Sequence, residues 1–263
     1  MAARKTMTGA EWVRGTDPKQ LLAALGRRTR NRKRRLFACA CCRRHWHWVE
    51  GTPAVTAIEV AEAYADGLTS GKKLEAARKE AETTATHFYN EYRRRNGVPP
   101  YIAHMHASAC AAAATPPNAR SGYDSFAAST ANYAAQTYAH EMIDDVQPTD
   151  DVWRAHKADE AAAQAALVRE IFGNPFCPVA FNPAWRSSDV MILANGVYTD
   201  RAFDRMPILA DALQDAGCNN DDLLGHLRDP ALVPREHTDS TSDPPPVSHV
   251  LGCWALDLVL GKE

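Results

Sequence analysis

Residues 37–48, FACACCRRHWHW, hold three cysteines, two histidines, two tryptophans and two arginines in twelve positions. Such a concentration suits three kinds of structure: a metal site, a redox centre or a buried helix. The small and apolar residues Leu36, Cys39, Cys42 and Trp46 recur at helical spacing. Free cysteine is also among the most buried residue types. The stretch therefore predicts a buried helix, with metal binding and redox chemistry as the alternatives.

The segments around this stretch also carry helix signals. Asp17 and Thr52 are capping residue types, and each is followed by a proline at the first helical position. Between about residues 74 and 171, alanine-rich segments alternate with proline-containing loops, and alanine is the strongest helix former. No segment of useful length alternates apolar and polar residues as a strand does. The sequence therefore predicts an all-α fold, a helical bundle of about ten helices.

The length and apolar content allow one large domain or two small ones, since 45% of the 263 residues are hydrophobic. We predict a single domain over residues 1–263, with an N-terminal extension at 1–16 and a mobile proline-rich loop at 229–248. The apolar C-terminal segment CWALDLVL, residues 253–260, requires burial. We expect it to pack against the cysteine-bearing helix.

Charge and cysteine usage indicate a cytoplasmic protein. The formal net charge of −2 excludes a chain-wide polycation, so any nucleic-acid binding has to come from a local patch. The sequence contains no run of about 18 apolar residues and no apolar signal-peptide core, so neither a membrane span nor secretion is predicted. Seven cysteines, an odd number, favour reduced thiols over a disulfide framework.

A local basic patch does occur over residues 27–44, where RRTRNRKRR at 27–35 is followed by Arg43 and Arg44. Opposite phosphates, it would bind nucleic acid with an affinity that falls steeply as salt rises. The alternative is a surface whose charges pair with acidic helices such as EVAEAYAD, residues 59–66. The residues predicted to bind nucleic acid are Arg27, Arg28, Arg30, Arg32, Lys33, Arg34 and Arg35.

The C-terminal part of the chain holds the residues with the clearest metal-binding spacing. His249 and Cys253 are four residues apart, which on a helix places them on one face, and His226 lies upstream. We predict that these three residues bind zinc. A fourth ligand is expected from Cys41, Cys42 or water.

Other interpretations of these polar residues stay open. The structural alternative is a hydrogen bond from His226 or His249 to a backbone carbonyl or a carboxylate. A metal-dependent hydrolase would use the same histidines, leave one coordination position open and place a carboxylate base beside the ion. Cys218 is a poor partner for His226, because a helix between them would hold them about 12 Å apart. Two short patterns, HMH at 104–106 and HEMID at 140–144, are weaker metal candidates.

Segments at both ends of the chain resemble a family of uncharacterised bacterial proteins that often occur as many paralogues in one genome. The segments are EWVRGTDPKQLL, RRLFACACCRRHWHW, AIEVAEAYADGL, REIFGNPFCPVAFNPAW, VYTDRAFDRMPILADALQDAGC and HVLGCWALDLVLGKE. His45 departs from the pattern, in which an apolar residue is more usual. The resemblance implies a mostly helical single unit and no known reaction. We therefore expect a cytoplasmic helical interaction or regulatory module with a protein partner, stabilised by zinc if the predicted ligands bind it.

Overall fold

The structure, a computed structural model, describes residues 7–26, 31–94, 109, 127, 129–136, 150–232 and 247–262. All regular structure in these ranges is helical, and they contain no strand. The all-α prediction is therefore confirmed. The α-helices with defined bounds are α1 (Gly9–Arg14), α2 (Pro18–Leu25), α3 (Asn31–Arg43), α4 (Pro53–Ala65), α5 (Gly71–Arg93), α6 (Asp150–Phe172), α7 (Ser188–Asp200), α8 (Met206–Asp215), α9 (Asp221–Leu227) and α10 (Trp254–Leu260).

Local capping explains where several of these helices begin. The Asp17 carboxylate accepts hydrogen bonds from the backbone N–H groups of Lys19 and Gln20, which would otherwise lack partners in the first turn of α2. Thr52 does the same for α4 through the N–H of Ala54. Both predicted helix starts are confirmed. None of the described helices combines the length and apolar character needed to cross a bilayer.

Contacts divide the chain into two compact units. Residues 1–14 and 168–263 form what we call the C-terminal unit, and residues 15–167 form the central unit. The helix α6 runs through the boundary, so that its last residues, from Val168, belong to the C-terminal unit. The predicted single domain would require the two units to pack together, and it stays a prediction.

The core of the central unit is built on the cysteine-bearing helix. Cys39 and Cys42 on α3 pack with Ile58 of α4 and Leu74 of α5, and all four are fully buried. The predicted buried helix is therefore present, although α3 ends at Arg43 and a short 3-10 helix follows at Trp46–Trp48. Because the small cysteine side chains fill the helix contacts, their role here is packing.

The core of the C-terminal unit lies among α7, α8, α9 and α10. Val190, Leu209, Leu223 and Leu256 each present a fully buried side chain from one of these helices. Trp12, inside the predicted N-terminal extension, is 1% exposed. The predicted contact between α3 and the C-terminal helix joins residues of different units and stays a prediction. Most of the predicted mobile loop, residues 233–246, lies outside the described residues.

One local prediction is wrong: His249 and Cys253 do not share a helical face. The C-terminal helix begins only at Trp254, and residues 247–253 precede it without helical structure. The reason is Gly252, whose φ of +88° lies in the left-handed region that interrupts a right-handed helix. The two side chains therefore have to approach one another through a turn.

Candidate metal centre

Three described arginines of the basic run, Arg32, Arg34 and Arg35, are paired or buried within the central unit. Arg34 and Arg35 are 3% and 1% exposed, and Nη2 of Arg34 donates to the carbonyl oxygen of Gly26 at 2.6 Å. Nε of Arg32 donates to Oδ1 of Asp66 at 2.8 Å. Asp66 is the last residue of EVAEAYAD, residues 59–66, the acidic segment predicted to pair with the basic run. This pairing favours the alternative to a nucleic-acid interface.

The other predicted nucleic-acid contacts are less constrained by the structure. Lys33 is half-buried. Arg27, Arg28 and Arg30 lie outside the described residues. Nucleic-acid binding stays a prediction that depends on these positions.

The cysteines of α3 have the properties of core side chains. Cys39, Cys41 and Cys42 are fully buried and form no disulfide. Burial raises the pKa of the Cys39 and Cys41 thiols, and the charges of Glu62 and Glu160 add to this effect. A buried protonated thiol is a poor nucleophile and a poor redox centre. The HMH and HEMID patterns at 104–106 and 140–144 lie outside the described residues.

The three predicted zinc ligands come together in the C-terminal unit, and a fourth residue joins them. Glu170, His226, His249 and Cys253 each offer a potential ligand atom, and these four atoms lie within 4.8 Å of one another. Glu170 is thus the fourth potential ligand of the group, a position for which we expected Cys41, Cys42 or water.

Each residue of this group is positioned by a different part of the local fold. Glu170 lies in the last turn of α6, and His226 lies near the end of α9. The backbone N–H of His249 donates to the carbonyl oxygen of Leu232 at 2.8 Å, which holds His249 beside the chain that follows α9. Cys253 is the residue immediately before α10. Three segments that are distant in sequence thus converge on the group.

The distances within the group are short. Nδ1 of His249 lies 2.9 Å from Oε1 of Glu170, and Nε2 of His226 lies 3.1 Å from Oε2. Sγ of Cys253 lies 3.4 Å from Nε2 of His226 and 3.9 Å from Nδ1 of His249. The side chains of Glu170 and His249 are 1% and 0% exposed, whereas that of His226 is 16% exposed. Solvent therefore reaches this group mainly at His226.

The electrostatics of the group centre on the Glu170 carboxylate. Its burial raises the pKa, but the contacts with His226 and His249 outweigh burial and hold the pKa of Glu170 at about 2. Burial also raises the pKa of the Cys253 thiol well above its usual value, and the charge of Glu170 raises it further. The group without an ion therefore combines a carboxylate with a neutral thiol.

The hydrogen bond that the structural alternative predicts is present, between His249 and Glu170 at 2.9 Å. It does not satisfy the whole group. Oε2 of Glu170 is buried and has no well-aligned hydrogen bond among the described residues, even though Nε2 of His226 is 3.1 Å away. With this poorly aligned contact from His226, the buried oxygen is incompletely satisfied, and a cation at this point would complete its interactions.

A second buried cluster of charges lies in the central unit and was not predicted. Glu160 of α6 accepts hydrogen bonds from Nε and Nη2 of Arg44 at 3.0 and 2.8 Å and from Nε2 of Gln164 at 3.0 Å. Gln164 also donates to the carbonyl oxygen of Ala131 at 2.9 Å. Burial raises the pKa of Glu160, but Arg44 and His45 outweigh it and hold the pKa at about 2. This cluster ties together three segments of the central unit.

Glu170 is the residue of the metal group that sequence reasoning missed. A usable signal existed, because Glu170 follows Leu167 by three residues and precedes Ile171 on a helix whose apolar stripe is buried. A carboxylate on such a stripe needs a partner. No protein-family model, no curated protein and no solved structure matches the chain.

Proposed function

We propose that the protein is a cytoplasmic helical module whose C-terminal unit is stabilised by one zinc ion. Glu170, His226, His249 and Cys253 are the ligands. The predicted interaction role and the protein partner stay predictions.

The observation that carries this proposal is the spacing of the four ligand atoms. A tetrahedral zinc ion with bonds of 2.0 to 2.3 Å holds its ligand atoms about 3.3 to 3.6 Å apart. The distances from Sγ of Cys253 to the imidazole nitrogens, 3.4 and 3.9 Å, lie close to this range. The two Glu170 oxygens approach the imidazoles more closely, Oε1 at 2.9 Å from His249 and Oε2 at 3.1 Å from His226, and no two of the four ligand atoms are more than 4.8 Å apart. Binding an ion would require shifts of up to about 1 Å, in which the Glu170 carboxylate moves away from the imidazoles and the more distant ligand atoms move closer together.

The chemistry of the ligand set also fits zinc. Two imidazoles, one thiolate and one carboxylate are all ligand types that zinc accepts in tetrahedral sites. The carboxylate and the thiolate together balance the two positive charges of the ion. Binding would require the Cys253 thiol to lose its proton, which a cation at this distance promotes.

Burial favours a structural role over a catalytic one. Four protein ligands complete the tetrahedral shell, whereas catalytic zinc sites use three and leave a position for water. Glu170, His249 and Cys253 have almost no exposed surface. Because the ion would join the end of α6 to α9 and the C-terminal segment, its binding energy would contribute directly to folding.

A metal-dependent hydrolase is the second candidate, and Glu170 is the observation that favours it. If only His226, His249 and Cys253 bound zinc, the carboxylate of Glu170 would be close enough to act as base for a zinc-bound water. Glu170→Gln separates the two candidates. Loss of zinc affinity indicates a ligand, whereas full zinc binding with loss of a measured hydrolytic activity indicates a base.

We expect the protein, purified without chelators, to contain one zinc ion per chain. The variants His226→Ala, His249→Ala and Cys253→Ser should each lose this ion. Each substitution deletes one of four ligands and leaves the other buried polar groups without their ion. The measurement is elemental analysis of the folded variants after dialysis against buffered zinc.

Two matched controls test whether the loss is specific to the group. Cys177 and His47 are exposed, so Cys177→Ser and His47→Ala should retain stoichiometric zinc. The proposal would be overturned if His249→Ala and Cys253→Ser both retained all of their zinc. It would also be overturned if the two control variants lost zinc to the same extent as the ligand variants.

A further inference from the structure

The metal group is most exposed at His226, and one aromatic residue lies against that ligand. His226 is the ligand with appreciable solvent exposure, at 16%, while the side chain of Glu170 is 1% exposed and that of His249 is 0% exposed. The ring of Trp254 lies against the ring of His226, with 4.9 Å between the ring centroids and 44° between the planes. The indole of Trp254 therefore covers part of the imidazole of the ligand that is nearest to solvent.

Trp254 is held in this position by its neighbours in the chain and in space. It is the first residue of α10 and directly follows the ligand Cys253. Its other neighbour is Gly173, three residues after the ligand Glu170. A Cβ atom added to Gly173 would lie 3.1 Å from Cγ of Trp254, which is closer than side chains normally approach.

Gly173 is constrained for a second reason. Its φ of +66° is a left-handed conformation, and its N–H donates to the carbonyl oxygen of Arg169 at 2.9 Å to end α6. Glycine adopts this conformation without strain and also leaves room for the indole. The end of α6 thus supplies the ligand Glu170, and the glycine that follows it provides the surface on which Trp254 packs.

The orientation of His226 depends on this arrangement. Its ring contacts both the indole of Trp254 and the ring of His249, whose centroid is 5.2 Å away at an interplanar angle of 73°. These two contacts hold Nε2 toward Cys253 and Glu170. Without the indole, the partly exposed imidazole would be able to turn into solvent and release its ion.

We propose that Trp254 is the residue that controls metal exchange: it holds His226 in the ligating orientation and closes the solvent side of the site. This inference rests on the proposed zinc site. Trp254 itself contributes no ligand atom. It therefore affects how fast the ion leaves, while the stoichiometry stays at one.

The test compares zinc-loaded wild-type protein with Trp254→Leu and Trp254→Phe by the rate of zinc transfer to an excess of a colorimetric chelator. Substitutions beside metal ligands commonly change metal binding by about 10- to 100-fold, and we expect Trp254→Leu to release zinc at least about tenfold faster. Trp254→Phe keeps an aromatic ring on His226 and should release zinc at close to the wild-type rate. Phe181→Leu is the control, because Phe181 is an aromatic residue of the same unit that packs on Trp185.

A second measurement does not depend on the folding of the leucine variant. Bound Co²⁺ quenches nearby tryptophan fluorescence, and Trp254 should account for most of the quenching in the wild-type protein. The same titration of Trp254→Phe should show much less. Equal quenching in the two proteins would overturn the placement of Trp254 beside the ion.

The outcomes distinguish this inference from the proposed function. Zinc release from loaded Trp254→Leu at the wild-type rate overturns the role of Trp254 and leaves the zinc site intact. A wild-type protein that binds neither zinc nor Co²⁺ overturns both.

Discussion

Removing zinc with a chelator is expected to lower the midpoint of thermal unfolding by about 8 °C or more, because bound metal stabilises the folded state by mass action. A ligand present at about 1,000 times its dissociation constant contributes about 4 kcal/mol. In a large domain of about 250 residues, each kcal/mol shifts the midpoint by about 2 to 4 °C, and in a unit of about 100 residues that unfolds by itself the shift is about 4 to 8 °C. The measurement is circular dichroism of the full chain with zinc, after chelation and after zinc is restored.

The ligand variant Cys253→Ser supplies the control for this experiment. It should unfold near the midpoint of the chelated wild-type protein, and a chelator should not lower its midpoint further. Restored zinc should return the wild-type protein, but not the variant, to the higher midpoint. A chelated wild-type protein that has lost its zinc but unfolds within 2 °C of the loaded protein would contradict a structural role for the ion.

Substitution of Glu160 by glutamine is expected to destabilise the protein by about 3 kcal/mol at pH 7, because it leaves the buried guanidinium of Arg44 without a counter-charge. The Glu160 side chain is fully buried and that of Arg44 is 6% exposed, so solvent screens this pair little. The measurement is the free energy of unfolding of both proteins by urea.

The same pair predicts a pH dependence with a definite sign. The pKa of Glu160 is about 2 in the folded protein, below its ordinary value of about 4.3. The stabilisation is therefore complete above about pH 4.3 and is lost as pH falls toward 2. The difference between wild-type protein and Glu160→Gln should shrink over that range.

Glu82→Gln is the matched control for this prediction. Glu82 also forms an ion pair with an arginine, at 3.0 Å, but its side chain is 56% exposed. Exposed pairs of this kind contribute less than about 1 kcal/mol. Equal effects of the Glu82 and Glu160 substitutions, or a Glu160 effect that does not change between pH 5 and pH 2.5, would contradict the assigned role of the buried pair.

Much of the helical layout follows from local chemistry and was predicted for that reason. The caps at Asp17 and Thr52 act within a few residues, and the apolar spacing of α3 marks its buried face in the sequence itself. The burial of Arg34 and Arg35 could not be predicted in this way. A basic run looks solvated until its partners are known, and one of these, the carbonyl oxygen of Gly26, is a backbone group that carries no sequence signal.

The metal group, too, was predicted from the sequence only in part, because some of its contacts depend on tertiary packing. His226, His249 and Cys253 were chosen from residue type and spacing, but the assumed helical face for His249 and Cys253 was wrong because Gly252 interrupts the helix. Glu170 lies 56 residues before His226 in the chain. Only the packing of α6 in the C-terminal unit brings its carboxylate to the histidines.

X-ray absorption at the zinc edge tests the central claim most directly, because it reports the atoms bound to the ion in the intact protein. The proposed four-ligand site should give one sulfur at about 2.3 Å and three nitrogen or oxygen atoms at about 2.0 to 2.2 Å, with multiple scattering from two imidazoles. Cys253→Ser should remove the sulfur scatterer from any zinc that still binds. A shell with two or more sulfurs, a six-coordinate oxygen shell, or a protein that takes up no zinc would contradict it.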